Sequence, residues 1–380
     1  MAQTNEQGHA VDPTSQPTEE VNRPPLSDTE ITLPHSGKRI QLLWSRLLIG
    51  LIVLISAEVF SGASLQNGLW HPWTLVVTYW LYFAHFFFFT TLAVWTGRTS
   101  FWSLYLWGVL FGLYESWITK VIWCGYSGDG KLVLGNIGPY GFSELSMVFL
   151  FHPMMSLILP LAVACVLCPP LRRWFPDLTW ITSKSRGAHI LRIYLVVSLA
   201  PIVAMNSGGA INLALNLLFA GTLAFLLLRL SRPYLRTANG RSLVALGPLP
   251  FSLLCAYLLL LYGVTYLYLR PEGLPSPLIQ SATLAFYGLA IVGLCLHDRQ
   301  TPNTDVPASA ARYESKAIIT VVTLVLGLGL VLAPFSGKPF LFIPILANFV
   351  IWTPLGIIIT ALALVKGRHV ASKVQHNCSK

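Results

Sequence analysis

Charge is what this sequence has least of. Only 11% of its 380 residues are Asp, Glu, Lys or Arg, against roughly 25% in an ordinary soluble domain. Hydrophobic residues make up 54%, and the mean hydropathy is +0.63. Forty charged side chains cannot cover that much apolar surface in water, which excludes a soluble enzyme and a soluble binding module. The six cysteines are too few, and too often inside apolar runs, for a disulfide framework. Cys165-x-x-Cys168 lacks partners at a matching depth for zinc, so no metal and no cofactor are expected. There is no phosphate-cradling Gly-Lys motif, no nucleophile elbow and no HExxH. The bases are separated by long apolar runs rather than clustered, so nucleic acid is not a partner. An internal repeat, common in inverted-repeat transporters, is also missing.

What remains is a chain built for the lipid bilayer. Residues 1–39 are polar and rich in proline and acids, and read as a disordered tail. The net charge of +10 hides an asymmetry: six of the 15 acids lie in the first 30 residues beside one base. Ten stretches are long and apolar enough to span a membrane: 42–64, 72–95, 100–124, 143–167, 188–206, 210–230, 243–269, 276–296, 317–335 and 340–365. The pair 188–206 and 210–230 is separated only by Ser207-Gly208-Gly209 and forms either a tight hairpin or one broken unit. If the N-terminus is inside, 19 bases fall in inner segments and three (Lys131, Arg270 and Lys338) in outer ones. That ratio predicts an all-α, polytopic protein with both termini cytoplasmic, in the cell membrane. The first span is read as uncleaved, because the polar stretch ahead of it is too long for a signal peptide. Residues 40–168 form a polar four-helix part, 169–366 an apolar six-helix part and 367–380 a basic tail.

Ionisable groups at membrane depth are costly, and point to function by default. Here they concentrate in the first four spans: Glu58, His85, Glu115, Lys120, Glu144 and His152. Counting 1.5 Å per residue from the outer ends puts Glu58 at ~9 Å, Glu115 and His152 at ~14 Å and His85 at ~20 Å depth. Glu58, Glu115 and His152 thus share a layer on three helices, which predicts an outward-facing polar pocket. Glu115 and His152 are the candidate reacting pair; Glu58, His85, Glu144 and Lys120 are candidates for binding substrate or protons. Each has a plainer reading: helix-to-helix hydrogen bonds for the carboxylates and imidazoles, and snorkelling for Lys120. Pro153, after His152, predicts a kink in span four. The loop 125–142, with six glycines, lies over the layer as a lid or an ordinary loop. Asn206, Asn212 and Asn216 are expected to bond across helices.

Glu115 with Phe149-x-x-His152 faintly resembles the glutamate and phenylalanine–histidine motifs of the CAAX-processing-type intramembrane proteases. The sequence departs from them: Ser116 stands where the second glutamate belongs, and the following arginine and later histidine are missing. By position, the resemblance would make Glu115 and His152 water-activating residues. Three functions therefore stay open: a carrier with a polar cavity in its first four helices, an intramembrane enzyme acting on a lipid or lipid-linked substrate, and a non-catalytic scaffold.

Overall fold

The computed structural model describes residues 35–126, 132, 134–237, 240–303 and 312–366. The tail expected over 1–39 therefore falls largely outside the described residues. So do Asp129 and Lys131 of the glycine-rich loop and the basic tail 367–380 with Cys378.

Among the described residues, nine helices are long and apolar enough to cross a membrane. The first, α1 (His35–Leu54), continues into a π-helical turn, Ile55–Val59. A second π turn, Thr74–Thr78, leads into α2 (Tyr79–Thr96). The expected third span, 100–124, is not one helix. It divides into α3 (Phe101–Gly112), α4 (Tyr114–Trp117) and α5 (Val121–Cys124), with Lys120 in the left-handed region at φ 58°. An unbroken helix would carry Glu115 and Lys120 through lipid on one rigid rod. The break lets each reach a partner on another helix, which matters more in hydrocarbon than one turn of regular backbone.

A short ribbon, β1 (Asn136–Ile137) with β2 (Tyr140–Gly141), precedes the fourth span. That span starts as α6 (Phe142–Ser146), widens to π geometry over Met147–Ile158 and ends as α7 (Leu159–Leu167). Pro153 lies inside the π stretch, where the wider turn accommodates a residue that cannot donate to the helix ladder. Next come α8 (Arg186–Asn206) and α9 (Ala210–Thr237), joined by a tight turn but packed on different helices. Gly208 (φ 69°) and Gly209 (φ 115°) make the turn. The remainder is α10 (Arg241–Val244), α11 (Pro248–Tyr268), α12 (Pro277–Leu296), α13 (Arg312–Leu332) and α14 (Pro339–Lys366).

The fourth span is the centre of the bundle: 78% of its most apolar window is buried, against 17–28% for the five spans from α9 onward. Glycine makes this possible. A Cβ on Gly108 would lie 2.4 Å from the Pro153 backbone, and one on Gly112 only 2.9 Å from the Val148 carbonyl. From the other side, a Cβ on Gly356 of α14 would meet the Phe149 backbone at 2.9 Å. Small residues let helices approach to van der Waals contact where no hydrophobic force drives them together. Around this centre α1 packs on α2 and α9, α8 on α13 and α14, α11 on α2, and α12 on α3 and α14.

The inner loops expected from the charge pattern gather at one end, here termed the basic end. Arg46 donates to the Ser242 carbonyl at 2.7 Å, Arg98 to the Leu294 and Cys295 carbonyls, and Arg192 to the Ser183 carbonyl at 3.0 Å. Arg172 pairs with Glu314 in a largely buried ion pair. The loops 60–73 and 269–276 and the ribbon 134–141 lie at the opposite, far end.

Candidate functional site

Near the far end, three breaks in helical regularity meet. Glu58 lies in the π turn after α1, Glu115 at the break after α3, and His152 in the π stretch of the fourth span. Such bulges are rare and recur at functional sites, because they turn side chains out of the helical pattern. His152 Nε2 lies 3.1 Å from Glu115 Oε1, and Nδ1 lies 2.8 Å from Ser156 Oγ. With Glu115 ionised, Nε2–H donates to the carboxylate. Its other oxygen accepts from the Thr119 hydroxyl. All four side chains are buried or half-buried. The imidazole is held between rings, edge-on to Tyr114 at 4.9 Å and stacked on Phe111 at 6.1 Å and 9°.

The second carboxylate belongs to the same cluster. Glu58 Oε2 accepts from the Ser64 hydroxyl at 2.6 Å, and Glu58 lies close enough to Glu115 and His152 to interact electrostatically with both. Two tyrosines bridge the gap. The hydroxyls of Tyr82 and Tyr114 are 2.7 Å apart. Tyr82 also faces Glu58, and Tyr114 faces Glu115. The series Glu58, Tyr82, Tyr114, Glu115, His152, Ser156 is thus a row of exchangeable protons crossing four spans. A cavity of about 320 Å3 lies against its first members, lined by Glu58, Tyr82, Tyr114 and Thr119 with Ser64 and Asn67 of the loop above. That loop is tied down by asparagines. Asn206 donates to the Ser61 carbonyl, Asn212 and Asn216 donate to that of Leu65, and the Leu69 N–H donates to Asn216.

The whole arrangement lies within a stretch that matches a family model. Residues 47–373 match the model of an uncharacterized membrane protein family. The chain belongs to that family. Over 125 residues it is also 37% identical to an uncharacterized protein of Archaeoglobus fulgidus, a match covering 32% of this chain and 37% of that protein. The chain therefore aligns with well under half of that relative's length. No solved structure matches it.

The other candidate residues of this family member lie elsewhere. Lys120 neither snorkels nor faces the cavity. It is fully buried, and its ammonium donates to the Thr265 carbonyl at 2.8 Å and to that of Leu269, capping α11. Arg270 answers from the other side, donating to the Thr119 carbonyl at 3.1 Å and the Gly125 carbonyl at 2.8 Å. His85 is turned away from Glu58. Its Nδ1–H donates to the Leu81 carbonyl at 2.8 Å, and Nε2 accepts from the Tyr262 hydroxyl at 3.0 Å. Glu144 is fully buried below the β ribbon; one oxygen accepts from Ser143, and the other has no partner among the described residues. Also among the described residues, no cluster of three or more His, Cys, Asp and Glu side chains is placed to hold a metal ion.

Thr119 and Ser156, the close partners of Glu115 and His152, stand four residues after them, a spacing that puts them on the same helix face. That signal was present in the sequence. The Tyr82–Tyr114 pairing had no such signal, because it depends on how α2 meets the broken third span.

Proposed function

We propose that this protein is a carrier that takes up and releases a proton at the Glu115–His152 pair as its substrate moves through the membrane. The observation that carries this reading is the row of hydrogen-bonding groups from the cavity at Glu58 to Ser156 at the centre of the bundle. Two carboxylates and an imidazole, linked through two phenol hydroxyls, can pass a proton without moving a helix. Desolvation makes the charge state of such a cluster consequential, so a bound substrate and a bound proton influence one another. The reading places the far end outside, both termini in the cytoplasm and the protein in the cell membrane, as the distribution of bases supports.

The test uses proteoliposomes with an internal pH indicator, an acid step outside, and fractions of a water-soluble and a lipid cell extract as probes. Wild-type vesicles should take up protons faster than empty ones with at least one fraction. Glu115→Gln should abolish that increment while the protein remains inserted and folded. Proton uptake by Glu115→Gln equal to that of wild type, or no increment with any fraction, overturns the reading.

A second reading has one observation in its favour. Ser156, His152 and Glu115 form a hydroxyl–imidazole–carboxylate series, the pattern of activated nucleophiles and water-activating pairs. An enzyme would consume a substrate in detergent with no membrane gradient, whereas a carrier shows nothing in detergent.

A further inference from the structure

A second cavity, larger than the polar one, lies outside the site just described, on the lipid-facing side of the bundle. Helices α11 and α12 are consecutive and antiparallel, yet α11 packs on α2, while α12 packs on α3 and α14. Between them runs a groove of about 980 Å3. Its floor is buried and belongs to other helices: His85 and Phe89 of α2, Trp107 and Leu110 of α3. Its rim is exposed at bilayer depth, with Leu259 76% and Leu284 55% exposed.

The lining is graded. Toward the 269–276 loop, Tyr266 donates to Gln280 Oε1 at 3.0 Å, and Ser281 is exposed beside them. Deeper stands the Tyr262 hydroxyl on His85. Leu92, Leu258 and Ile291 are among the apolar residues that line the rest. Polar groups toward an interface and hydrocarbon below are the profile of one membrane lipid standing in its leaflet. At this depth only lipid from the surrounding bilayer reaches the opening.

The groove is also in contact with the proton-handling cluster. His85 stacks on Phe111 at 5.1 Å and 18°, and Phe111 stacks on His152. Tyr114 touches both imidazoles, at 5.6 Å and 4.9 Å, and lines the polar cavity. On α11, Tyr262 and Tyr266 line the groove, while Thr265 and the C-cap Leu269 line the cavity.

We infer that the groove between α11 and α12 binds a single amphipathic lipid, its polar head among Gln280, Ser281, Tyr266 and Tyr262 and its apolar chain on the α2–α3 floor. This rests on the carrier reading only for its consequence, that the substrate is a lipid; the binding site stands without it. The Tyr262 end of such a head is joined to His152 through His85 and then Phe111 or Tyr114, a continuous series of rings along which the two sites can be coupled.

The experiment reconstitutes the full chain in phosphatidylglycerol vesicles doped with a phospholipid carrying a diazirine in its chain, and maps the cross-links by peptide mass spectrometry. Label is expected on Trp107 and Leu110, which lipid outside the groove cannot touch. Ser281→Trp and Leu284→Trp, at exposed rim positions, should lower that labelling about tenfold, equivalent to ~1.4 kcal/mol. Leu267→Trp, which is exposed on α11 but outside the groove, should not change it. Label confined to outward-facing residues, or equal floor labelling in all three variants, overturns the inference. Glu115→Gln should still label the floor. Loss of proton movement in that variant with labelling intact separates the two proposals, and failure of labelling alone leaves the proton reading standing.

Discussion

Lys120 shows how a side chain in lipid is governed by the carbonyls it reaches rather than by its distance from water. Its ammonium cannot remain unpaired in the bundle, and α11 ends nearby at its C-cap, Leu269. The cation bonds to the Leu269 carbonyl, shares that of Thr265 with the Leu269 N–H, and complements the negative end of the helix. The left-handed backbone at Lys120 is part of the same bargain: strain of ~1–2 kcal/mol is offset by charge-assisted bonds in an apolar setting. Lys120→Met should therefore destabilise the protein by about 1–3 kcal/mol, since it takes the ammonium donor from the Leu269 carbonyl. Thermal unfolding in detergent measures this. Proton uptake per folded molecule should persist, because the ammonium bonds to α11 and not to Glu115. A stable variant without proton movement would instead place Lys120 in the transport machinery.

Among the elements, the decisive contact is that of α3 with the π stretch of the fourth span. Gly108 and Gly112 give α3 a smooth face one turn long, and His152 reaches Glu115 only because that face lies against the Pro153 and Val148 backbone. Any side chain at Gly112 must displace a carbonyl rather than a flexible side-chain end. Gly112→Val is expected to cost about 1–3 kcal/mol and to separate the carboxylate from the imidazole, abolishing proton uptake. Gly221 on α9 is the control, since a Cβ there meets nothing within 4 Å. Gly221→Ala should be neutral or stabilising by up to ~1 kcal/mol. Unfolding midpoints and proton uptake of the two variants decide the point. Equal behaviour would mean that glycine at Gly112 serves helix flexibility rather than close approach.

For the whole molecule, a single balance set what could be read in advance: hydrocarbon demands long apolar runs, and the basic loops record which runs pair at which end. Arg46, Arg98 and Arg172 lie at the basic end, as the charge count implied, and with Arg192 of α8 they also tie loops together through carbonyls and Glu314. Counting depth along helices placed Glu58, Glu115 and His152 in one layer, and there they meet. Depth alone could not show which neighbours Lys120 and His85 face, because it carries no information on azimuth once a helix breaks or meets a neighbour such as α11. The basic end also holds the group that should govern stability against pH. His297, just beyond α12, accepts at Nδ1 from the Ser103 hydroxyl at 2.9 Å and donates from Nε2 to the Ala363 carbonyl at 2.8 Å, joining three spans. Burial lowers its pKa below the ordinary 6.5 and the nearby Arg98 lowers it further, opposed by the Ala363 bond and Asp298. The folded protein therefore keeps this imidazole neutral where the unfolded chain protonates it. Its contribution to stability is complete above about pH 6.5 and is lost as the pH falls from there toward the lower folded-state value. Unfolding midpoints recorded from pH 7.5 downward should fall below about pH 6.5, and His297→Gln should flatten that part of the curve. An unchanged slope in the variant would assign the pH dependence to the buried cluster at the far end.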